Sequence, residues 1–535
     1  MKQLRLKART QSRQASKAAW LTLAFLIPFA LATAQSVPPS GYARAAQLIQ
    51  EGNPTGAIAL IQRMLQQSPQ DVRAHNLMGI ALSAANRLEE ANASFNRAYK
   101  LNPKFYPALK NLALNELKLQ RVDDARAHLE QFLEASPQDP AANLALAEIL
   151  SQKGEHAKAV EHYIASQGMF LKNPLTILSF AQSCFVSGQG PKAAGALELM
   201  PPEADARAHF QAGILLAQLM KFDGAAREFE RARKDYPDPY EVGYNLTLAY
   251  SRGQNYDAAI QTAEAMIAQG HKKAELYNLL ADAYEHKSRT VDAYNALRTA
   301  TELEPREENN YLDLVALGID HRNYDLSFGM IEIGLKNIPD SYRLRLAHGT
   351  VLALQGQMSR ALVDFEEAVR IDPKKDLPFY GMVMALMQTD QTERARKVLK
   401  ERLAISPDNY LLLYAFGEMQ DRIGAPPGTE LETEALADLK RSVEIEPNMA
   451  PSRVALGRML LRRGEVDEAI VHLEIALKLN PDNLSPAYQL ATAYRRKGNK
   501  EKAVEYQAMF EKYKEEDRDR YMNVQILRLL REGDK

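Results

Sequence analysis

Apolar residues recur along the chain at three- and four-residue spacing, in two blocks per 34 residues with a polar turn between them. Leu77, Met78 and Leu82 form one such block, and Ala91, Phe95 and Ala98 the next. This spacing puts each block's apolar side chains on one face of a helix, so each unit is predicted to be two helices joined by a turn. One alanine per unit marks the register: Ala57, Ala91, Ala125, Ala159, Ala193, Ala225, Ala259, Ala293, Ser327 as the exception, Ala361, Ala395, Ala435, Ala469 and Ala503. Eleven of the thirteen steps are 34 residues. Twelve residues after many of these rungs stands a proline, from Pro69, Pro103 and Pro137 to Pro447 and Pro481. Proline lacks an N–H and disfavours helical geometry in the residue before it, so it stops the second helix. The first block carries its own small site, at Gly79, Ala113, Ala147, Ala181, Gly213, Ala281, Gly349, Gly417, Gly457 and Ala491. Two small sites per unit mean two helices in close contact. One such hairpin cannot bury its apolar face alone, so fourteen of them are expected to stack into one quasi-linear array.

The eighth unit reads Tyr277-Asn278-Leu279-Leu280-Ala281-Asp282-Ala283-Tyr284, then Ala293, Leu297, Ala300 and Pro305. The thirteenth reads Leu456-Gly457, Gly464-Glu465-Val466-Asp467-Glu468-Ala469, Leu473, Ala476 and Pro481. Both resemble the tetratricopeptide repeat (TPR) family, whose helix–turn–helix period is about 34 residues. The resemblance covers residues 38–517 and implies an all-α fold, an α-solenoid wound as a right-handed superhelix of about fourteen repeats. Departures mark irregularities: the fifth unit ends early at Pro201-Pro202, the ninth is rich in glycine (Gly318, Gly329, Gly334), and the twelfth carries an insert at 424–429. Residues 518–535 contain Tyr521, Val524, Ile526, Leu527 and Leu530 at helical spacing, and a C-terminal capping helix and tail are expected there.

Charge and composition change the picture at the N-terminus. Lys2, Arg5, Lys7, Arg9, Arg13 and Lys17 precede an apolar run at 18–31 and Ala32-Thr33-Ala34. A basic start, a short apolar core and small residues at A-x-A are what export and cleavage need, so residues 1–34 are expected to be a signal peptide. An uncleaved anchor is the alternative, but Pro28 interrupts the run, which is shorter than the roughly 20 apolar residues a span needs. Gln35 stands where a lipoprotein would need a cysteine, and 35–37 are a short spacer. The expected location is periplasmic or extracellular, without membrane insertion after cleavage. Without the six leader cations the chain holds 61 basic against 68 acidic residues, net −7, a poor match to nucleic acid. Usage of 46% apolar and 25% charged residues disfavours a disordered, collagen-like or multi-span chain. The single Cys184 excludes an internal disulfide and a four-cysteine zinc cage.

Signatures of catalysis are sparse. No H-E-x-x-H, Walker A or G-x-S-x-G element occurs. Gly188-Gln189-Gly190-Pro191-Lys192-Ala193 matches G-x-G-x-x-A in form but falls on a turn between helices. His156 and His162 are six apart, off the spacing of two ligands on one helix face, and are expected at the surface. Cys184 reads as a small buried hydrophobe. Neither an enzyme nor a cofactor nor a metal site is expected.

In TPR arrays the first helix of each hairpin lines the concave surface. If that carries over, places two, five, nine, twelve and thirteen of each unit face a groove. The eighth unit then presents Glu275, Asn278, Asp282, Glu285 and His286, an acidic, hydrogen-bonding patch. The thirteenth and fourteenth present Arg458, Arg462, Arg495 and Arg496, with Arg463 and Lys497 adjacent, a set of guanidiniums suited to carboxylates or phosphates. Lys110 and Asn111 do not complete the arrangement by which chaperone-binding TPR domains hold a peptide's terminal carboxylate. The resulting expectation is an exported scaffold that binds a protein segment or helix along the groove and organises an envelope or secretion complex. The alternative is polysaccharide or glycan handling, with Tyr244 or Tyr488 stacking on sugars or else filling gaps between repeats.

Overall fold

The computed structural model describes residues 41–513 except 425, 427 and 482–484. The expected leader and spacer, the first residues of the repeat region and the segment after 513, including the expected cap, lie outside the described residues. Those described form twenty-eight α-helices in fourteen successive hairpins and contain no strand. They divide into two compact units, 41–271 and 272–513, of seven hairpins each. The first unit runs from Gly41–Gln50 and Pro54–Gln67 to Pro239–Arg252 and Tyr256–Ala268. The second runs from Ala274–His286 and Thr290–Leu303 to Ser485–Arg496 and Lys500–Tyr513.

The turn inside each hairpin has one recurring geometry. Five residues before the alanine rung, the backbone adopts positive φ in thirteen of the fourteen hairpins: at Gly52, Asn86, Gln120, Gly154, Gly188, Met220, Gln254, Ser288, Arg322, Gly356, Asp390, Gly464 and Gly498, with φ between 56° and 84°. There the chain leaves the first helix: the N–H of Asn86 donates to Ser83 O (3.1 Å) and that of Arg87 to Leu82 O (2.9 Å), closing the freed carbonyls. The twelfth hairpin departs from this register: its insert separates Tyr410–Ile423 from Glu430–Ile445, and Gly424 has φ 78°.

Close approach of the two helices explains the small sites. A Cβ placed on Gly79 would stand 2.5 Å from the Phe95 ring, one on Gly213 2.6 Å from Phe229, and one on Gly457 2.6 Å from Leu473. The large side chain of the second helix therefore occupies the space a first-helix side chain would need. The rung alanines are buried. Ser327 fits the same slot because its hydroxyl donates to Val315 O (3.0 Å), leaving no buried group unpaired. Gly318, where a Cβ would lie 2.3 Å from Ser327 Oγ, is the compensating small residue of that glycine-rich hairpin. The fifth hairpin does end early, its second helix running only Gly190–Leu197.

Within each unit a second helix packs on its own first helix and on the first helix of the next hairpin, and most successive first helices also meet. First helices thus lie on the inner side of each unit. Cap residues of one hairpin are held by the one before: Lys110 pairs with Asp139 (2.7 Å), and Asn409 Nδ2 donates to Asp376 Oδ2 (2.8 Å). Arg402, 6% exposed, donates to Asp376 and to the carbonyls of Pro373 and Lys374 (2.9 and 2.6 Å), clasping the turn that starts its own hairpin.

Candidate functional site

Ala274–His286 carries the eighth hairpin's expected groove residues. Glu275, Asp282 and His286 are exposed, and Asn278 and Glu285 are half-buried. Asn278 Nδ2 donates to Asn310 Oδ1 (2.9 Å), and the buried Asn310 passes the chain on to Ala300 O (3.1 Å). His321 from the next hairpin sits 2.9 Å from Glu285 Oε2. These bonds fix the two side chains and leave Asn278 Oδ1 and Glu285 Oε1, both shielded from solvent, without a donor. The two unpaired acceptors thus lie just beneath the face, beside the exposed Glu275, Asp282 and His286.

The arginines stand differently. Tyr410–Ile423 is buried from Leu411 to Asp421, including Glu418 and Asp421 at places nine and twelve of its unit. Arg458, from Ala450–Arg463, donates to Glu418 (2.5 Å) and to Asp421, and Arg462 pairs with Asp421. Arg463 bridges the buried Glu432 (3.4 Å) and Glu465 (2.6 Å). Arg496 donates to Leu461 O, and Lys497 reaches Asp467 (2.5 Å). Arg495 and Arg496 are exposed. The expected row of free guanidiniums is therefore mostly a set of ties between consecutive hairpins, because buried carboxylates need counter-charges at hydrogen-bond distance. Glu418 and Asp421 were missed although they occupy the very places read for the groove. An acid at place nine or twelve of one unit facing an arginine at place nine or thirteen of the next was the available signal.

The inner face is also less open than expected between these two regions. Leu346, Thr350, Tyr380, Met384 and Tyr414, at places five and nine of hairpins ten to twelve, are buried against neighbouring first helices. Tyr244 stacks on Tyr240 (6.0 Å between rings), and Tyr488, exposed, packs on Phe510.

Other polar residues serve the packing. Cys184 is buried, and burial pushes its thiol up to about 11, the reverse of what a nucleophile needs. His156 and His162 are not plain surface residues: His156 Nδ1 lies 3.2 Å from Ser183 Oγ, and His162 Nδ1 2.8 Å from Asn143 Oδ1. Lys110 is spent on Asp139, and Asn111 donates to Asn76 (3.0 Å). Gly188 is the left-handed turn residue of its hairpin. Among the described residues no three His, Cys, Asp or Glu side chains are grouped to hold a metal ion, and no helix is long and apolar enough to cross a membrane.

Two family models, each described as tetratricopeptide repeat, match residues 110–168, 210–272 and 433–514, and residues 48–115 and 352–415, more than half of the chain together. The chain belongs to the tetratricopeptide repeat family. Among curated proteins it is similar to anaphase-promoting complex subunit 3 of Schizosaccharomyces pombe, 26% identical over 175 residues, 32% of this chain and 26% of that one. The match thus spans about a quarter of that relative's length. Solved structures align along most of the chain. The APC/C hetero-tetramer Cut9–Hcn1 shows 10% identity, 84% of this chain and 96% of that one, TM-score 0.36; yeast Tom70 shows 15%, 85% and 95%, TM-score 0.38. Superpositions that loose add nothing to the fold, which stands on the repeats. As a TPR protein the chain is of the scaffold type, acting through protein–protein interaction.

Proposed function

We propose that this TPR protein is an exported scaffold that takes a segment of a partner protein, extended or helical, on the inner face of its first helices and so organises an envelope or secretion complex. The reading rests on one observation. On the eighth hairpin Asn278 Oδ1 and Glu285 Oε1 are shielded from solvent, held in place by their other bonds and lack donors. Reaching both takes a side-chain rotation that opens them to the partner, whose backbone N–H, lysine or arginine then satisfies them. Many such hairpins at fixed spacing give avidity without a deep pocket. Export follows from the basic, apolar and A-x-A order of the first 34 residues.

Two measurements test it. Asn278→Ala combined with Glu285→Ala should keep the far-UV spectrum and melting profile and lose at least tenfold in affinity for partners recovered from envelope extracts. Undiminished affinity removes the eighth hairpin as the binding face. N-terminal sequencing of protein from the envelope fraction should begin at Gln35; full-length protein confined to the cytoplasm contradicts export.

A further inference from the structure

A groove of about 410 Å³ opens where hairpin six of the first unit meets hairpin seven. Glu230, Arg233 and Lys234 at the end of one second helix, Pro239 at the start of the next first helix and Gln269 wall it, over a floor of Gly243 and Met266. The glycine makes the space. Sixteen residues before the rung, hairpins two to six carry His75, Leu109, Asn143, Ile177 and His209, and hairpin seven carries Gly243. A Cβ there would stand 2.5 Å from Met266 Sδ, so the methionine lies against bare backbone and gives the floor a soft, apolar surface. A groove of this size takes a small ligand or one bulky side chain.

The rim is basic. A second groove of about 350 Å³ continues along Phe222–Ala232, and the two meet at Glu230. Together they are lined by Arg227, Arg231, Arg233 and Lys234 against Asp223 and Glu230, a local excess of positive charge in a chain that is net −7 without its leader cations. Arg231 is bound to the buried Glu228 (2.7 Å), and Arg233 stands 3.7 Å from Glu230, which also accepts from Tyr250 Oη (3.3 Å). Of the nearby acids outside the lining, Asp238 caps Pro239–Arg252, Glu241 accepts from Tyr236 Oη (3.2 Å), and the exposed Asp235 offsets part of the excess. Arg227 and Lys234 are exposed and have no side-chain partner among the described residues. Seven residues separate them, two helical turns or about 10 Å. An extended chain covers that distance in about three residues.

We propose that this double groove is a second protein-docking site, on the outer side of the first unit. It takes an extended acidic segment of a partner protein, with a bulky apolar side chain seated over Gly243 and Met266 and carboxylates on Lys234 and Arg227. A segment suited to the acceptors of hairpin eight is basic, so the two sites select different partners or different parts of one. The proposal is independent of what the inner face binds.

Fluorescence anisotropy of a fluorescein-labelled Glu-Glu-Phe-Glu-Glu peptide, titrated with the full chain, tests it. Sub-millimolar binding that weakens with added sodium chloride is expected. Replacing the peptide's phenylalanine by glycine should weaken it at least tenfold. Arg227→Glu combined with Lys234→Glu should also weaken it at least tenfold and keep the melting profile, because both side chains are exposed and unpaired. Gly243→Ala, which drives Met266 into the groove, should remove most of the difference between the two peptides. Absence of binding with the chain at several hundred micromolar overturns the proposal. So does binding that survives the charge reversal, or binding equal for the two peptides, which is plain ionic attraction. Phenylbutyrate that competes at the same concentration as unlabelled peptide assigns the groove to small amphipathic anions and equally overturns it.

Discussion

Glu148 offers the sharpest test of how the hairpins are joined. It lies in Pro140–Gln152, 2% exposed, accepting from Tyr163 Oη (2.7 Å) in its own hairpin and from Ser179 Oγ (3.3 Å) in the next. Burial raises its carboxyl from 4.5 to about 7, the two hydrogen bonds pulling it back only in part. The folded state therefore holds the proton more tightly than the unfolded chain. The resulting stabilisation is complete below about 4.5 and is lost as pH rises through about 7. At 1.36 kcal/mol per pH unit the whole effect is about 3 kcal/mol. Glu148→Gln keeps an acceptor for Tyr163 and carries no charge. The variant should match the wild type near pH 5 and exceed it by up to about 3 kcal/mol at pH 8. Long arrays need not unfold as one unit, so the readout is hydrogen-exchange protection in Pro140–Gln152 and Pro174–Val186 between pH 5 and 8.5. A wild-type-minus-variant difference that does not change with pH refutes the reasoning, and a variant weaker at pH 8 shows that the carboxylate is ionised and supported.

Met220 and Arg322 hold positive φ where six other hairpins use glycine, so Met220→Gly and Arg322→Gly should each raise stability by about 1 kcal/mol, seen as higher urea midpoints. Gly195, in a helix and with nothing within 4 Å of its would-be Cβ, should tolerate alanine with a gain of up to about 1 kcal/mol. Gly349→Val should cost about 3 kcal/mol or more and disrupt its hairpin in thermal melts, because even a Cβ there falls 2.7 Å from Phe365. Arg458→Ala leaves the buried Glu418 with Arg422 and Asp421 with Arg462 alone and should cost about 1–3 kcal/mol, with exchange protection lost first where Tyr410–Ile423 meets Ala450–Arg463.

The repeat made most of the fold legible. The alanine rung, the first-helix small site and the prolines are local marks of helix contact and helix ends, and the fourteen hairpins follow them, including the short fifth and the extended twelfth. The turn rule could also have been read, since Gly52, Gly154, Gly188, Gly356, Gly464 and Gly498 all stand five residues before a rung. What a single repeat cannot reveal is pairing across repeats. Arg458 and Arg462 look like ligand-binding residues in their own unit and become structural once Glu418 and Asp421 of the preceding unit face them. Burial of Tyr380 and Met384 likewise depends on how closely neighbouring first helices approach, which the 34-residue period leaves open.

Recognition through the inner face is tested most directly by photo-crosslinking in cells. A benzophenone side chain at Asp282 or His286 samples the first helix of hairpin eight, and one at Arg298 or Glu401 samples exposed second-helix positions. Adducts to a partner protein from the first pair and none from the second is the expected result. Adducts from Arg298 or Glu401 with none from Asp282 and His286 would contradict it.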